Sequence, residues 1–413
     1  MNYSQLAING GAKAAENLPA RFHFGQEEKA AADALFDQAI ATGNAIGYSG
    51  SEEEAFGKEF AEYLGGGYAD GVNAGTNAVY VALKSLDLPP FSEVIVSCVT
   101  DPGGMMPITE LNCIPVPADT EPGSYNTGAE QIAARITERT SAIVVAHIAG
   151  EPADMPGIMQ VAKKYNLPVV EDCSQSHMAL IEGQKAGTFG TIGAFSLMFG
   201  KHMCAGGQGG AVFTKDEAQY WKIRRAADRG KPLNMPGCTN VISAINCNMD
   251  ELHAAIGRAQ LKKLPGIVER RWKFVQMMMD RNFDKLAGIY LPQQDLRKGF
   301  QSCYWWWRLR FVAEQMRCTR EEFVEALSAE GLAVIPNYRT AIPARMTWFQ
   351  NRSSKHPWNN PLYQGNPDAV YETPNCDQVM NTDFQFFFNE SYTEKEADKV
   401  INAFKKVSDA FAK

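Results

Sequence analysis

The sequence has 413 residues, which predicts two domains or one large domain with a smaller one attached. Hydrophobic residues make up 45% and charged residues 21%, as is ordinary for a soluble globular protein. The net charge of -7 argues against nucleic acid or an anionic membrane as main partner, and no run approaches the roughly 20 apolar residues of a transmembrane helix.

The first half of the chain alternates helix-like and strand-like segments. Helical patterns cover 25–43 and 51–67, and both stop at glycine. Apolar runs typical of buried strands lie at 93–99, 140–150, 167–174 and 193–199, and helical patterns between them lie at 76–88, 128–140 and 155–166. Strands alternating with helices predict a mostly parallel α/β sheet covered on both faces.

The pattern changes near residue 250. A long, basic, apolar-striped helix is predicted over 249–283, broken or kinked at Pro265. Beyond it we expect a strand at 303–313, a capped helix at 319–331, a loop over 336–376 and a closing amphipathic helix at 393–411. We therefore expect a large α/β domain at 1–255 and a smaller α+β domain at 256–413.

The cysteines and histidines indicate a reducing compartment and no metal. The nine cysteines are scattered without a C-x-x-C pair, which favours reduced thiols in the cytoplasm over disulfides or a zinc site. The histidines show no paired ligand spacing. The first 25 residues lack the apolar core of a signal peptide.

Two features lie where predicted strands end, the edge at which open α/β sheets bind ligands. Gly75-Thr76-Asn77 runs from a strand-like entry into a helix, so free N–H groups at the helix start could hold a phosphate; the alternative is a Thr/Asn-capped helix. Glu171 and Asp172 end an apolar run and could neutralise a cationic ligand, or cap a surface turn.

A third feature is Lys201 in "LMFGKHMCAGGQGG", directly after the strand that contains Ser196. The alternative is an ordinary solvated lysine. Glycines and apolar neighbours favour burial, which would lower the pKa of the amine and free it to attack a carbonyl. A phosphate cradle, an acid and a lysine nucleophile together are what pyridoxal 5′-phosphate requires.

These residues resemble the DegT/DnrJ/EryC1/StrS family of sugar aminotransferases of fold type I. The resemblance covers nearly the whole chain through "FGKEFAEYLG", "VNAGTNAVYVALKSL", "AHIAGEPADMPGI", "VVEDCSQSHMALIEGQKAGTFGTIGAFSLMFGKHMCAGGQGGAVFT" and "INCNMDELHAAIGRAQLKKL". It implies a large domain built on a mostly parallel, seven-stranded sheet, followed by a smaller C-terminal α+β domain.

The resemblance also implies residue roles. Lys201 would be the Schiff-base lysine and proton shuttle, Asp172 would pair with the pyridine nitrogen, and Gln175 would lie beside the ring hydroxyl. The phosphate would be held by Gly75, Thr76, Asn77, Ser196 and, from the neighbouring subunit, Asn246. A homodimer with shared active sites follows.

Three positions depart from the family pattern. Asp101 stands where the family usually has an aromatic residue that stacks on the cofactor ring. Gln208 replaces a glutamate, and Asn248 replaces an arginine. Because these changes surround the pocket, we expect an unusual substrate.

The remaining histidines and an aromatic run are expected to be mainly structural. His202 follows Lys201 and must point elsewhere from the backbone, while His147 and His177 suit hydrogen-bonded positions at strand ends. The run Tyr304–Trp307 could stack on a sugar, but in a strand alternate members face opposite sides. At least half of it should therefore lie in the core or an interface.

The function implied is transfer of an amino group from glutamate or glutamine to a keto-sugar, nucleotide-linked or free, or to a cyclic polyol ketone. Two alternatives are a pyridoxal-phosphate dehydratase of ketodeoxysugars, suggested by a related branch in which histidine replaces the lysine, and a non-catalytic regulatory protein. The intact set of Lys201, Asp172, Gln175 and Ser196 favours an enzyme.

Overall fold

The computed structural model describes residues 3–352 and 355–413; residues 353 and 354 of the predicted loop lie outside the described residues. The strands are β1 (Tyr68–Val72), β2 (Glu93–Ser97), β3 (Ile114–Ala118), β4 (Thr140–Ala146), β5 (Val169–Asp172), β6 (Leu180–Ile181), β7 (Gln184–Lys185), β8 (Ile192–Ser196), β9 (Gly210–Thr214), β10 (Ile289–Tyr290), β11 (Phe300–Gln301), β12 (Trp307–Phe311), β13 (Ala333–Ile335) and β14 (Asp383–Phe387). The α-helices are α1 (Gln26–Thr42), α2 (Ser51–Leu64), α3 (Gly75–Ser85), α4 (Pro102–Glu110), α5 (Ala129–Ala133), α6 (Met155–Tyr165), α7 (Glu217–Ala227), α8 (Glu251–Asp280), α9 (Arg320–Ala329), α10 (Thr347–Gln350), α11 (Pro374–Thr382) and α12 (Glu394–Phe411).

The main sheet has seven strands in the order β1-β9-β8-β5-β4-β2-β3. Strands β3, β2, β4, β5 and β8 run parallel, and β9 pairs antiparallel with both β8 and β1. The predicted mostly parallel sheet is therefore confirmed. Because β5 and β8 are neighbours, their carboxyl ends bring Asp172 and Ser196 to one edge.

Helices cover both faces of this sheet, as the apolar runs predict. Alternate residues of β2 show why: Val94 and Val96 pack with α3, α4 and α7, whereas Ile95 packs with α5 and α6. Strands buried on both faces read as continuous apolar runs, since neither face meets water.

A second sheet lies further along the chain, in the order β10-β12-β14-β13, with every pair antiparallel. Its core joins Phe274 of α8, Trp307 of β12, Phe386 of β14 and Phe404 of α12. Helices α9 and α12 begin with the capping boxes that their Thr-x-x-Glu sequences predict. The division at 255/256 stays a prediction, and α8 runs across it.

Three sequence predictions of local structure are wrong in detail. Helix α8 is continuous through Pro265, so the predicted break is wrong while the alternative of a kink stays a prediction; packing of the buried neighbours Leu264, Ile267 and Val268 outweighs the hydrogen bond that proline removes. Helix α5 covers only 129–133 of the predicted 128–140. The strand expected from 303 begins only at Trp307, since the preceding residues turn back toward the main sheet.

All nine cysteines are free, in agreement with the prediction of reduced thiols. Within residues 3–352 and 355–413, no helix is both long enough and apolar enough to traverse a lipid bilayer.

Candidate active site

The first part of the site lies where helix α3 begins beside the end of β8. The residue before the helix is Ala74, which makes no side-chain cap, so the alternative of a Thr/Asn-capped start is wrong. A Cβ added to Gly75 would lie 2.5 Å from the Cβ of Ser196. Only glycine therefore lets the helix start approach Ser196, and the first-turn N–H groups of residues 75–77 lie at that corner.

Asn77 contributes to the shape of this corner. Its Nδ2 donates to Oδ1 of Asn73 at 2.6 Å, which ties the first turn of α3 to the chain entering it. Ser196 Oγ accepts from the backbone N–H of Met198 at 3.4 Å, so the hydroxyl proton is left to donate elsewhere. Thr76 lies close to the start of α4, since a Cβ on Gly103 would meet its Oγ1 at 2.3 Å.

Asp172 ends strand β5 and is 6% exposed, so it is not a cap on a surface loop. Its Oδ1 accepts from the backbone N–H of Ser174 at 3.0 Å, and a Cβ on Gly104 would come within 2.9 Å of Oδ2. Burial raises the pKa of Asp172, while the hydrogen bonds of Ser174 and the charge of Lys201 act in the opposite direction. A buried carboxylate of this kind favours pairing with a cationic group.

Lys201 lies in the loop between β8 and β9 and is 7% exposed, which contradicts the alternative of a solvated lysine. Burial lowers the pKa of Lys201 to about 8, against the raising influence of Asp172 and Asp101. Its Nζ lies 4.0 Å from the ring centroid of Trp305. A buried amine with a lowered pKa is suited to nucleophilic attack on a carbonyl.

Gln175 is held by two hydrogen bonds. Its Oε1 accepts from the backbone N–H of Ala149 at 2.9 Å, and its Nε2 donates to the Tyr338 hydroxyl at 3.0 Å. Burial raises the pKa of Tyr338, so the phenol keeps its proton. Sequence reasoning missed Tyr338 because it lies in a segment read only as loop, without a periodic pattern.

Glu171 points away from Asp172 and organises the neighbouring turn. Its two carboxylate oxygens accept from the backbone N–H groups of Gly187, Phe189 and Gly190. His147 Nδ1 accepts from the backbone N–H of Ala153, so Nε2 carries the proton and donates to Glu171. His147, Glu171 and the nearby Cys173 converge, but this imidazole has no lone pair left for a metal.

His177 and His202 are buried packing residues, as predicted. His177 Nε2 donates to the carbonyl of Ser196 at 2.8 Å, and His202 Nε2 donates to the carbonyl of Cys303 at 3.0 Å. Burial lowers the pKa of His177 to about 3, and burial also holds the pKa of His202 far below its usual value. Both rings are therefore neutral donors near Lys201.

At least half of the aromatic run lies in the core, as predicted, but only Trp307 belongs to a strand. Trp306 and Trp307 are buried in the core, and Tyr304 packs against the core of the second sheet. Trp305 is the exception that reaches the site, with its ring over Lys201. No sequence pattern distinguishes Trp305 from the other three members of the run.

The three departures from the family pattern occupy different surroundings. Asp101 caps helix α4 by accepting from the backbone N–H of Gly103 at 2.9 Å, and its charge acts on Lys201. Gln208 is exposed. Asn248 donates through Nδ2 to Oδ1 of Asn246 at 2.9 Å.

Asn246 itself is at the surface. The chain beside it runs next to the entry to α3, where the backbone N–H of Asn73 donates to the carbonyl of Cys247 at 2.9 Å. Within the part of the chain that is described, no hydrogen bond connects the Asn246 side chain to Ser196, Lys201 or Asp172. The fold thus gathers the other predicted site residues at one sheet edge and leaves Asn246 outward.

The comparisons with known proteins identify the family of the chain. The sequence model of the DegT/DnrJ/EryC1/StrS aminotransferase family matches residues 26–405. UDP-N-acetyl-3-dehydro-alpha-D-glucosamine 3-aminotransferase from Acidithiobacillus ferrooxidans is 32% identical over 284 residues, covering 69% of this chain and 73% of that protein.

A second relative and a solved structure extend the likeness. L-glutamine:scyllo-inosose aminotransferase from Streptomyces griseus is 29% identical over 301 residues, covering 70% of each chain. The X-ray structure of the aminotransferase from Psychrobacter cryohalolentis superposes with a TM-score of 0.82 at 28% identity, covering 95% of this chain and 98% of that one. The predicted fold and the resemblance are confirmed.

Proposed function

Since this chain belongs to the DegT/DnrJ/EryC1/StrS aminotransferase family and is a pyridoxal-phosphate-dependent aminotransferase, we propose that it aminates the ketone of a sugar or cyclic polyol, with glutamate or glutamine as donor. The observation that carries the proposal is the buried Lys201 amine, with its lowered pKa, near the buried Asp172. The two relatives, one named for a UDP-linked dehydro-sugar and one for L-glutamine and scyllo-inosose, support both the ketone and the donor.

The residues present fit the cofactor. Pyridoxal phosphate supplies an aldehyde that an amine can join and a ring that takes up electrons. The helix start at Gly75, Thr76 and Asn77, with the Ser196 hydroxyl, offers N–H and O–H donors where a phosphate would be held. Asp172 offers a buried carboxylate for the ring nitrogen.

Lys201 would both join the cofactor's aldehyde and carry protons. With a pKa of about 8, a substantial fraction of its amine is neutral near pH 7.5 and can accept a proton at Nζ. The neutral rings of His177 and His202 leave Lys201 as the titrating base at this edge. Gln175, fixed by Ala149 and Tyr338, has a second amide proton to donate to the ring hydroxyl.

The test is a two-stage incubation of the purified full-length chain. Saturation with pyridoxal phosphate should give a yellow protein, and borohydride should fix the cofactor on the Lys201 peptide. With L-glutamate or L-glutamine and a panel of keto-sugars and scyllo-inosose, mass spectrometry should show an oxygen replaced by nitrogen. Loss of oxygen without gain of nitrogen would favour the dehydratase, and absence of turnover with bound cofactor the regulatory protein.

A homodimer completes the proposal, with Asn246 serving the partner's site. It is supported by the exposed apolar side chains in the segment that leads to that residue, which are 38–52% accessible in one chain: Leu233, Met235, Val241, Ile242 and Ile245. Such a patch marks an interaction surface, and most homo-oligomers are two-fold dimers. The free cysteines support the cytoplasm as location.

A further inference from the structure

The backbone of the lysine loop is held at three successive carbonyls. Trp305 Nε1 donates to the carbonyl of Gly200 at 3.0 Å. Arg21 donates through Nη1 to the carbonyl of Lys201 at 2.6 Å and through Nη2 to that of His202 at 2.9 Å. One guanidinium therefore spans the two consecutive peptide units that follow the Lys201 Cα, and Trp305 binds the peptide unit that precedes it.

Arg21 is itself fixed by a buried ion network. Its Nε donates to Glu390 Oε1 at 2.7 Å, and the other oxygen of Glu390 accepts from Arg271 Nη2 at 3.0 Å. Arg271 also donates to the carbonyl of Tyr304 at 2.8 Å, the residue before Trp305. The two donors that hold the lysine loop are thus connected to each other through one carboxylate.

The network keeps its charges over the whole working pH range. Burial would raise the pKa of Glu390, but His23, Arg271 and Arg21 outweigh it and hold that pKa far below the usual range. The guanidinium groups stay charged as well. A donor of fixed charge and planar geometry at two carbonyls orients the backbone from which Nζ extends.

We propose that Arg21 is a positioning residue that orients Lys201 toward the cofactor through the carbonyls of residues 201 and 202. The proposal rests on the proposed role of Lys201 as the cofactor-joining amine. Arg21 precedes the stretch 26–405 matched by the family model, so the likeness itself does not assign it a role. Arg21 brings the N-terminal segment, far away in sequence, onto the site.

The test compares Arg21→Ala and Arg21→Lys with a matched control, Arg320→Ala. Arg320 is buried and, like Arg21, donates to two backbone carbonyls, those of Met380 and Asp383, but within the described residues it makes no hydrogen bond to the lysine loop. The readouts are the rate at which borohydride-fixed pyridoxal phosphate accumulates on Lys201 and the pH midpoint of the visible absorption change in the holoprotein.

We expect R21A to slow capture of the cofactor about tenfold, because the amine loses its fixed direction. The absorption midpoint should move upward by about half a pH unit, since a nearby cation is lost. R320A should change capture less than about twofold at an equal loss of thermal stability. R21K should fall between the two, since an ammonium keeps the charge but cannot bridge both carbonyls and Glu390 in one plane.

The outcomes separate the two proposals. If wild-type protein captures no cofactor on Lys201, the proposed function fails. If wild type captures it but R21A matches R320A in capture rate and absorption midpoint, only the positioning role is overturned. Should R21A fail to fold, R21K decides: wild-type values for both readouts overturn the role, and a slowed capture supports it.

Discussion

Two parts of the candidate site differ in how completely one chain builds them. Asp172, Ser196 and Lys201 are each under 8% exposed and lie at adjoining strand ends of one sheet. The segment 229–248, which carries Asn246, instead exposes a row of apolar side chains and binds mainly its own backbone. The burial of Asp172, Ser196 and Lys201 indicates that these groups are preorganised within one chain, and the exposed segment is the part that the proposed homodimer would cover.

The largest expected effect concerns the buried half of the site, which consists of Asp172, Ser196 and Lys201. Lys201→Ala should lower turnover by about 1,000-fold or more, because no neighbouring group replaces a buried amine of lowered pKa. Borohydride should then fix no cofactor on the chain, and mass spectrometry of the digested protein checks this. If the variant still accumulated fixed cofactor, another amine would be the one that joins it, and the buried Lys201 would not carry the chemistry.

A second prediction concerns the corner between α3 and β8. Gly75→Ala should weaken pyridoxal phosphate binding about 100-fold, or about 2.7 kcal/mol, since the new Cβ would lie 2.5 Å from Ser196. Gly47→Ala is the control, because a Cβ there meets nothing within 4 Å. Fluorescence titration with the cofactor measures both, and equal affinities would show that the corner does not hold the phosphate.

The third prediction tests the exposed half of the site, the segment 229–248 that carries Asn246. Asn246→Ala should weaken cofactor binding about tenfold, as expected for one lost hydrogen bond to a charged group. After refolding an equimolar mixture of the N246A and K201A chains, about a quarter of all sites should recover wild-type affinity for the cofactor in borohydride trapping, since half the dimers are mixed and each has one complete site. No recovery, or a monomer in sedimentation, would mean that Asn246 serves no partner.

The fourth prediction concerns how the protonation of the buried Lys201 depends on pH. Capture of the cofactor by the apoprotein should rise through a pH of about 8, where burial places the pKa of Lys201, and not through 10.5. Between pH 8 and pH 10.5, Lys201 is mostly deprotonated in the folded state but still protonated in the unfolded state. The free energy of unfolding, relative to Lys201→Met, should therefore rise from pH 8 to 10.5 by about 3 kcal/mol. Denaturant titrations of both proteins at several pH values measure it, and a flat difference would contradict burial of the charge.

The fold and the residues at the strand ends could be predicted because both leave local signals. Apolar runs separated by helical patterns define a parallel sheet, and its carboxyl edge collects whatever polar residues end the strands, here Asp172 and Ser196. Lys201 could be chosen only in combination, because its glycines and apolar neighbours alone leave a solvated lysine open, whereas Asp172, Ser196 and the Gly75-Thr76-Asn77 turn together point to a cofactor. Helix α8 shows the limit: the break predicted at Pro265 is outweighed by tertiary packing that no local pattern reveals.

Arg21, Trp305 and Tyr338 could not be predicted for a related reason. Each acts on the site across a long sequence separation: 180 residues for Arg21 and Lys201, 163 for Tyr338 and Gln175. Trp305 lies in a run of four aromatic residues that look alike in the sequence. Which of them reaches the site depends on the turn that precedes strand β12. Such residues depend on how the second sheet and the N-terminal segment dock on the first, which periodicity does not encode.

The smallest expected effect comes from Trp305, which belongs to the buried half but lies at its margin. Trp305→Phe keeps an aromatic face over Nζ and removes only the hydrogen bond to Gly200, so capture of the cofactor should slow about threefold. Trp306→Phe is a close control, because the Trp306 Nε1 has no hydrogen-bond partner. Borohydride trapping at matched thermal stability distinguishes them. An unchanged rate in W305F would mean that Arg21 alone holds the lysine loop. The rigidity of the buried half would then depend on the N-terminal segment and not on the aromatic run.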